Sequence, residues 1–236
     1  MGHRFGVALA CLAGMVGWAN SALATPPGAE AFFKDPDIVD AVLSPSGRKL
    51  AITSAKGIKR VGLVVLDLAP GGALARAVQY EDADIVDVHW VNDERLVFSA
   101  TDHAEGGGLR TGAPGLFAVN ADGSKYRQLV RRQGRPMVTD GSHQQLLDWN
   151  HRLLQVPTPQ AGQANERVLI AQIAMDDVRS LFPMWLNTRT GLTESAGFKA
   201  PPNAVHWLID SIGNAHALVS VEGGRQTADW RAPSAA

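Results

Sequence analysis

Val86-Asp87-Val88-His89-Trp90-Val91-Asn92-Asp93-Glu94-Arg95-Leu96-Val97-Phe98-Ser99-Ala100-Thr101-Asp102 decides the fold of this chain. Two runs rich in β-branched and aromatic residues, Val86–Val91 and Arg95–Ala100, flank the polar group Asn92-Asp93-Glu94-Arg95. That composition predicts two strands around a tight turn, because branched side chains suit a pleated surface and Asn and Asp suit a reversing backbone. The pattern returns along the chain. Ala41–Thr53 carries it upstream around Ser44-Pro45-Ser46-Gly47-Arg48, with Lys49-Leu50 where Arg95-Leu96 stand. Leu147–Leu154 is a shortened copy containing Trp149, and Val205–Asp210 opens a fourth around Trp207. Ser44, Trp90, Trp149 and Trp207 are separated by about 46, 59 and 58 residues. A unit of roughly 40–60 residues with several strands each is the mark of propeller blades. A sandwich also alternates strands, but has no reason to restart one turn pattern at near-equal intervals.

The remaining strands fall into place around these starts. The first blade takes Val42–Thr53, Val61–Leu68 and Ala75–Tyr80, with Gly57 and Gly71-Gly72 at its turns. The second takes Val86–Thr101, Gly115–Asn120 and Tyr126–Val130, with the hairpin signal Asn120-Ala121-Asp122-Gly123. The third takes Leu146–Val156, Arg167–Ile173 and the segment from Met184 to Thr193. The fourth has Ala204–Ile209, Ala215–Val221, the turn Glu222-Gly223-Gly224, and Gln226–Trp230. The fold class expected is therefore all-β: an incomplete β-propeller over residues 42–236, about three blades and the start of a fourth. Rings typically need 4–8 blades. The strand count thus predicts a fragment with an open edge near Gln226–Trp230, a surface prone to self-association.

Residues 1–24 have the form of a cleavable signal peptide. Met1-Gly2-His3-Arg4 is a short positive start, Phe5–Trp18 an apolar run, and Ala22-Leu23-Ala24 a small-x-small site before Thr25. The run is shorter than the ~20 residues of a membrane span, so no stable insertion is expected after cleavage. Placed before Cys11, a lipoprotein signal would have only Phe5–Ala10 as its apolar part, which is too short. The expected location is periplasmic or secreted. Residues 25–41 form a lead-in, with Phe32-Phe33 expected to pack on the first blade.

Composition narrows the function. Lys and Arg number 22 against 23 Asp and Glu, a formal net charge of −1. That balance attracts neither nucleic acid nor anionic lipid. Lys125, Arg127, Arg131, Arg132 and Arg135 make one basic patch around Tyr126, expected to be the solvated face of an edge strand. The single cysteine, Cys11, lies in the leader, so the mature chain has neither a disulfide nor thiol chemistry.

Tests for chemistry give no catalytic, cofactor-binding or metal-binding candidate. A serine hydrolase elbow, Gly-x-Ser-x-Gly, is absent; Gly123-Ser124 and Gly141-Ser142 lack the second glycine. The Gly-rich stretch 102–114 lacks the Lys-Ser or Lys-Thr of a phosphate loop. Asp82, Asp84 and Asp87 lack the spacing of a calcium loop and are expected to form a solvated connector. None of His89, His103, His143, His151, His206 and His216 makes a zinc motif. Trp90, Trp149 and Trp207, at one point of the repeat, are expected to pack in the core.

Three stretches carry a family resemblance: Leu43-Ser44-Pro45-Ser46-Gly47-Arg48-Lys49-Leu50-Ala51 after Phe32-Phe33, Trp90–Ser99, and Gly115–Ser124. Together they resemble the propeller part of exported bacterial serine peptidases of the prolyl oligopeptidase family. The resemblance implies a cap over an α/β-hydrolase domain that holds the Ser-Asp-His triad, the cap restricting access to peptides. The hydrolase domain has no counterpart in 1–236, so no catalytic residue carries over. On this reading the chain meets peptide substrate only through that missing domain and is inactive alone. The alternative is a periplasmic binding or assembly module similar to the propellers of the Tol–Pal system.

Overall fold

A computed structural model describes residues 28–29, 36–102, 114–132, 145–159, 165–197 and 201–230. The leader 1–24, Phe32-Phe33, most of the Gly-rich stretch, Arg135, Gly141-Ser142, His103 and His143 lie outside them. The chain divides into Met1–Asp35, of which only residues 28–29 are described, and Pro36–Ala236, which holds every described strand.

Fifteen strands form four antiparallel sheets among the described residues. The first sheet is β1 (Ile38–Leu43), β2 (Lys49–Ser54), β3 (Gly62–Asp67) and β4 (Leu74–Val78). The second is β5 (Asp84–Asn92), β6 (Arg95–Thr101), β7 (Leu116–Asn120) and β8 (Arg127–Val130). The third is β9 (His151–Gln155), β10 (Arg167–Ile173), β11 (Leu181–Asn187) and β12 (Thr193–Ser195). The fourth is β13 (Ala204–Ile209), β14 (Ala215–Glu222) and β15 (Arg225–Trp230). Spatial order follows chain order in every sheet, and none of the sheets closes on another. This is a partial propeller: successive meanders packed face to face, each one blade. No described helix is long and apolar enough to cross a membrane.

Polar side chains fix the turns by bonding the backbone they reverse. Asn92 Oδ1 accepts the Glu94 and Arg95 amides, each at 2.9 Å, and this sets β6 directly against β5. Asn187 Oδ1 does the same for Arg189 and Thr190, and Asp210 Oδ1 for Ile212 and Asn214. These are Asx turns, the local chemistry that favours Asn and Asp at reversals.

The core lies between sheets. One cluster joins Leu63 and Val65 of the first sheet to Ile85, Trp90, Leu96, Phe98, Phe117 and Val119 of the second. Another joins Val91, Val97, Leu116 and Ala118 of the second to Val168, Ile170 and Leu186 of the third. Neighbours along β6 and β7 thus alternate between clusters, as the two-residue period of a strand requires. Both faces of the second sheet are buried, which explains the apolar run Leu96-Val97-Phe98.

Three expectations need correction. β1 begins at Ile38, within the stretch 25–41 taken as lead-in. The third copy of the repeat is out of step: Trp149-Asn150 form a turn ahead of β9, and β9 pairs with β10 across residues 156–166. Trp149 is accordingly exposed, not packed like Trp90. The shortened motif has no residues to spare for a strand on either side of Asn150, so the first strand starts later. Finally, β8 is not a free edge. Leu147 bridges Val130 in parallel, with Leu147 N donating to Leu129 O and Arg131 N to Leu147 O.

Candidate functional site

The side chains tested for chemistry stay apart. Ser124 sits in the β7–β8 turn, its Oγ accepting from Asn120 Nδ2 at 3.0 Å. His89 and His206 are exposed on β5 and β13, and the His151 ring bonds Asp148 O at 2.8 Å. One histidine meets a carboxylate among the described residues: His216 Nε2 lies 2.9 Å from Asp210 Oδ2. That hydrogen bond, with the amides of Asn214 and Ile212, holds the Asp210 carboxyl far below the usual carboxylate range. The pair braces the β13–β14 turn, where Asp210 also bonds Asn214. No group of three or more His, Cys, Asp or Glu among the described residues could hold a metal.

Asp82, Asp84 and Asp87 do not act together. Asp84 is buried; its Oδ1 accepts Val61 N at 2.8 Å and its Oδ2 takes Arg60 Nη1 at 3.0 Å. The same Nη1 reaches Asp102 Oδ1 at 2.5 Å. Hydrogen bonding to Asp102, then to Asp84, outweighs burial and raises the Arg60 pKa. Asp82 and Asp87 are exposed, and Asp87 takes a left-handed φ of 53° where β5 bulges. The acidic connector is thus in part a structural knot, which ties β3, β5 and the end of β6 together. It also fixes one stem of the Gly-rich stretch, while the other is held by Ser99 Oγ donating to Gly115 O at 3.0 Å.

The polar groups that do converge lie where first strands turn into second strands. Ser46 N donates to Asp93 Oδ1 at 2.9 Å, and Lys49 Nζ to Asp93 O at 3.0 Å, joining the first and second sheets. Burial would raise the Asp93 carboxyl, but hydrogen bonds from Ser46 and Ser44 and the charge of Lys49 hold it below its ordinary value. Asn92 Nδ2 donates to Asn165 O at 2.7 Å, joining the second and third. Thr158 N donates to Ser211 O at 2.7 Å, joining the third and fourth. One end of the partial ring is therefore laced from turn to turn.

Arg95 is the hidden member of this set. Its Nη1 donates to Asn120 Oδ1 and Lys125 O, and its Nη2 to Thr188 O at 2.7 Å, across the second joint. At 1% exposure it is the largest fully buried side chain described. Burial, reinforced by the nearby charges of Arg189 and Arg127, pulls its pKa down to about 10. In the sequence Arg95 closes the polar group Asn92–Arg95 and opens the strand run Arg95–Ala100, with no local mark of its burial. Its only sequence signal is the basic residue at the matching position, Lys49, which also reaches across a joint. An aromatic group also spans the first joint. Tyr80 and Tyr126 share a hydroxyl hydrogen bond at 2.9 Å over Phe98 and Phe117, and burial raises the Tyr80 pKa.

Chemically this arrangement holds sheets together and offers no reacting centre among the described residues. No family model matches the chain, and no curated protein does. Solved structures do. Pyrococcus horikoshii acylaminoacyl peptidase is similar at 12% identity and TM-score 0.45, over 79% of this chain and 28% of that one. A puromycin hydrolase is similar at 14% identity and TM-score 0.40, over 78% of this chain and 24% of that one. TolB from Acinetobacter baumannii is similar at 14% identity and TM-score 0.42, over 82% and 40%. The chain thus spans between a quarter and two fifths of the length of these solved chains, and its own sheet order makes it a partial β-propeller.

Proposed function

We propose that this chain is the propeller cap of an exported serine peptidase of the prolyl oligopeptidase kind. In that role it gates peptide access to an α/β-hydrolase domain and has no activity alone. One observation carries the reading. The motif residues behind the family resemblance, Ser44–Lys49 and Trp90–Arg95, are the residues that lace adjacent blades: Ser46 and Lys49 to Asp93, Asn92 to Asn165, Arg95 to Thr188. Trp90 adds its Nε1 donation to Val42 O at 2.9 Å. The resemblance therefore rests on joint chemistry specific to stacked blades, not on turn composition that any β protein shares.

Two measurements test it. Purified chain should take no label from a fluorophosphonate probe, and DNA beyond the codon for Ala236 should encode further propeller strands, then a Gly-x-Ser-x-Gly elbow followed by Asp and His. Labelling of this chain, lost when one serine is replaced, would refute inactivity. Downstream DNA without propeller strands, together with tight binding of a periplasmic protein, would favour the binding-module alternative. Export is tested by mass: the secreted chain should begin at Thr25, and intact Met1 in a cytoplasmic product would rule the leader out.

A further inference from the structure

We propose that the joint of the second and third sheets holds a small oxyanion of the phosphate or sulfate class between Arg95 and Arg127, beside Gly191. The inference does not depend on the peptidase reading. Every residue it uses lies between Arg95 and Gly191, so nothing in it turns on what precedes or follows that stretch. It starts from a charge without a counter-charge. Arg95 is almost inaccessible, yet its acceptors, Asn120 Oδ1, Lys125 O and Thr188 O, are all neutral. A buried cation is ordinarily paired with an anion, because desolvation penalises an isolated charge.

Strand register brings a second cation to the same place. Ala118 stands opposite Val97 on β6 and opposite Arg127 on β8, and Val97 and Ala118 both pack towards the third sheet. Opposed residues share a face, as do residues two apart on one strand. Arg95, two before Val97, and Arg127 therefore point the same way. Both meet one turn of the third sheet: Arg95 Nη2 donates to Thr188 O at 2.7 Å, and Arg127 Nη1 would stand 3.2 Å from a Cβ at Gly191. The Arg127 guanidinium makes no hydrogen bond or ion pair among the described residues. The carboxylate whose charge reaches Arg95, that of Glu166, is taken by Arg189 Nε. Three guanidinium groups thus share one carboxylate.

The donors left over select the occupant. Arg95 Nε and Arg127 Nη1 are buried and have no acceptor among the described residues. Gly191 keeps the space beside them open: its φ is +76°, and a Cβ there would also come 2.9 Å from Gln145 O. A tetrahedral oxyanion accepts from both guanidinium groups and supplies the missing negative charge. Water supplies an acceptor and no charge. A peptide is too large to reach the enclosed Arg95, whereas the half-buried Arg127 leaves a small ion a way in.

Equilibrium dialysis of the full chain against radiolabelled inorganic phosphate, in chloride at fixed ionic strength, tests this. Wild type should bind phosphate saturably, one per chain, and sulfate should displace it. R127Q removes a charge that no described residue pairs and should weaken binding by about tenfold or more. R131Q makes the same charge change outside the site, where exposed Arg131 lies 4.0 Å from Asp148, and should bind as wild type. In thermal unfolding, replacing chloride by phosphate should raise the midpoint of wild type more than that of R127Q, which shares any general salt effect. Circular dichroism unchanged from wild type controls for folding of the variants, and wild-type binding is decided without them. Absence of saturable binding in wild type, undiminished binding in R127Q, or an equal loss in R131Q would overturn the proposal.

Discussion

The second and fourth sheets are built from the same sequence pattern and end in different physical states. The second has neighbours on both faces, and Leu96, Val97, Phe98 and Ala118 are essentially inaccessible. The fourth meets the third through Trp207, whose Nε1 donates to Leu181 O at 3.1 Å, and through Gly213 against Trp185. Apart from the buried Ala204 and Ala215 its strands are half-buried or exposed, with Leu208 at 58% exposure. A blade is a half-finished core. Alternation supplies two apolar faces, and only adjacent blades remove them from water.

That contrast can be broken first in the second sheet. Phe98→Ala should cost about 3–5 kcal/mol in denaturant unfolding, through lost burial and the cavity left behind. Leu208→Ala on the fourth sheet should cost under about 0.5 kcal/mol. Amide exchange should follow the same order, slowest in β6 and β7 and fastest in β15. Equal costs at the two positions would show that the sheets are not energetically distinct.

Arg95→Leu should cost about 3 kcal/mol, because Asn120, the Lys125 carbonyl and the Thr188 carbonyl lose a buried donor. Unfolding midpoints of R95L and R95K distinguish charge from shape: lysine cannot serve both sides of the joint and should recover little. Full recovery with lysine would remove the guanidinium fork from the account.

Gly213→Ala probes the joint of the third and fourth sheets. Gly213 sits at φ +98°, and an added Cβ would come within 2.4 Å of Trp185 Cη2. Strain and displacement of that ring should cost about 1–3 kcal/mol, read as loss of protection in β13 and β14 while β6 keeps its own.

The smallest effect concerns Asp210. Its folded pKa lies below the unfolded value of about 3.9, so its stabilisation is complete above that value and is lost as pH falls towards the folded pKa. Asp210→Asn should therefore be less stable than wild type at neutral pH, and its acid unfolding should lack one component below about pH 4, because that stabilisation is already gone. An identical acid limb in both proteins would argue against the Asp210–His216 brace.

Legibility in the sequence followed how local each cause was. Strand pairs, their order and most turns were readable, because two-residue alternation and Asx chemistry act within a few residues. The β5–β6 and β14–β15 hairpins fall where Asn92-Asp93 and Gly223-Gly224 put them. The third blade misled, since Trp149-Asn150 mimics the repeat locally while β9 takes its register from β10, whose partners lie 14 to 21 residues away. Arg95 misled for the opposite reason. Arginine in a polar turn is ordinarily solvated, and the acceptors that make its burial tolerable, on Asn120, Lys125 and Thr188, lie 25 to 93 residues on.

By itself, then, the sequence determined an all-β chain of repeating meanders, because periodicity and turn residues are properties of neighbouring positions. The tertiary structure alone decided which faces are dry and which charge is buried. Those outcomes depend on what each sheet packs against, and packing partners here are separated by a whole blade of chain.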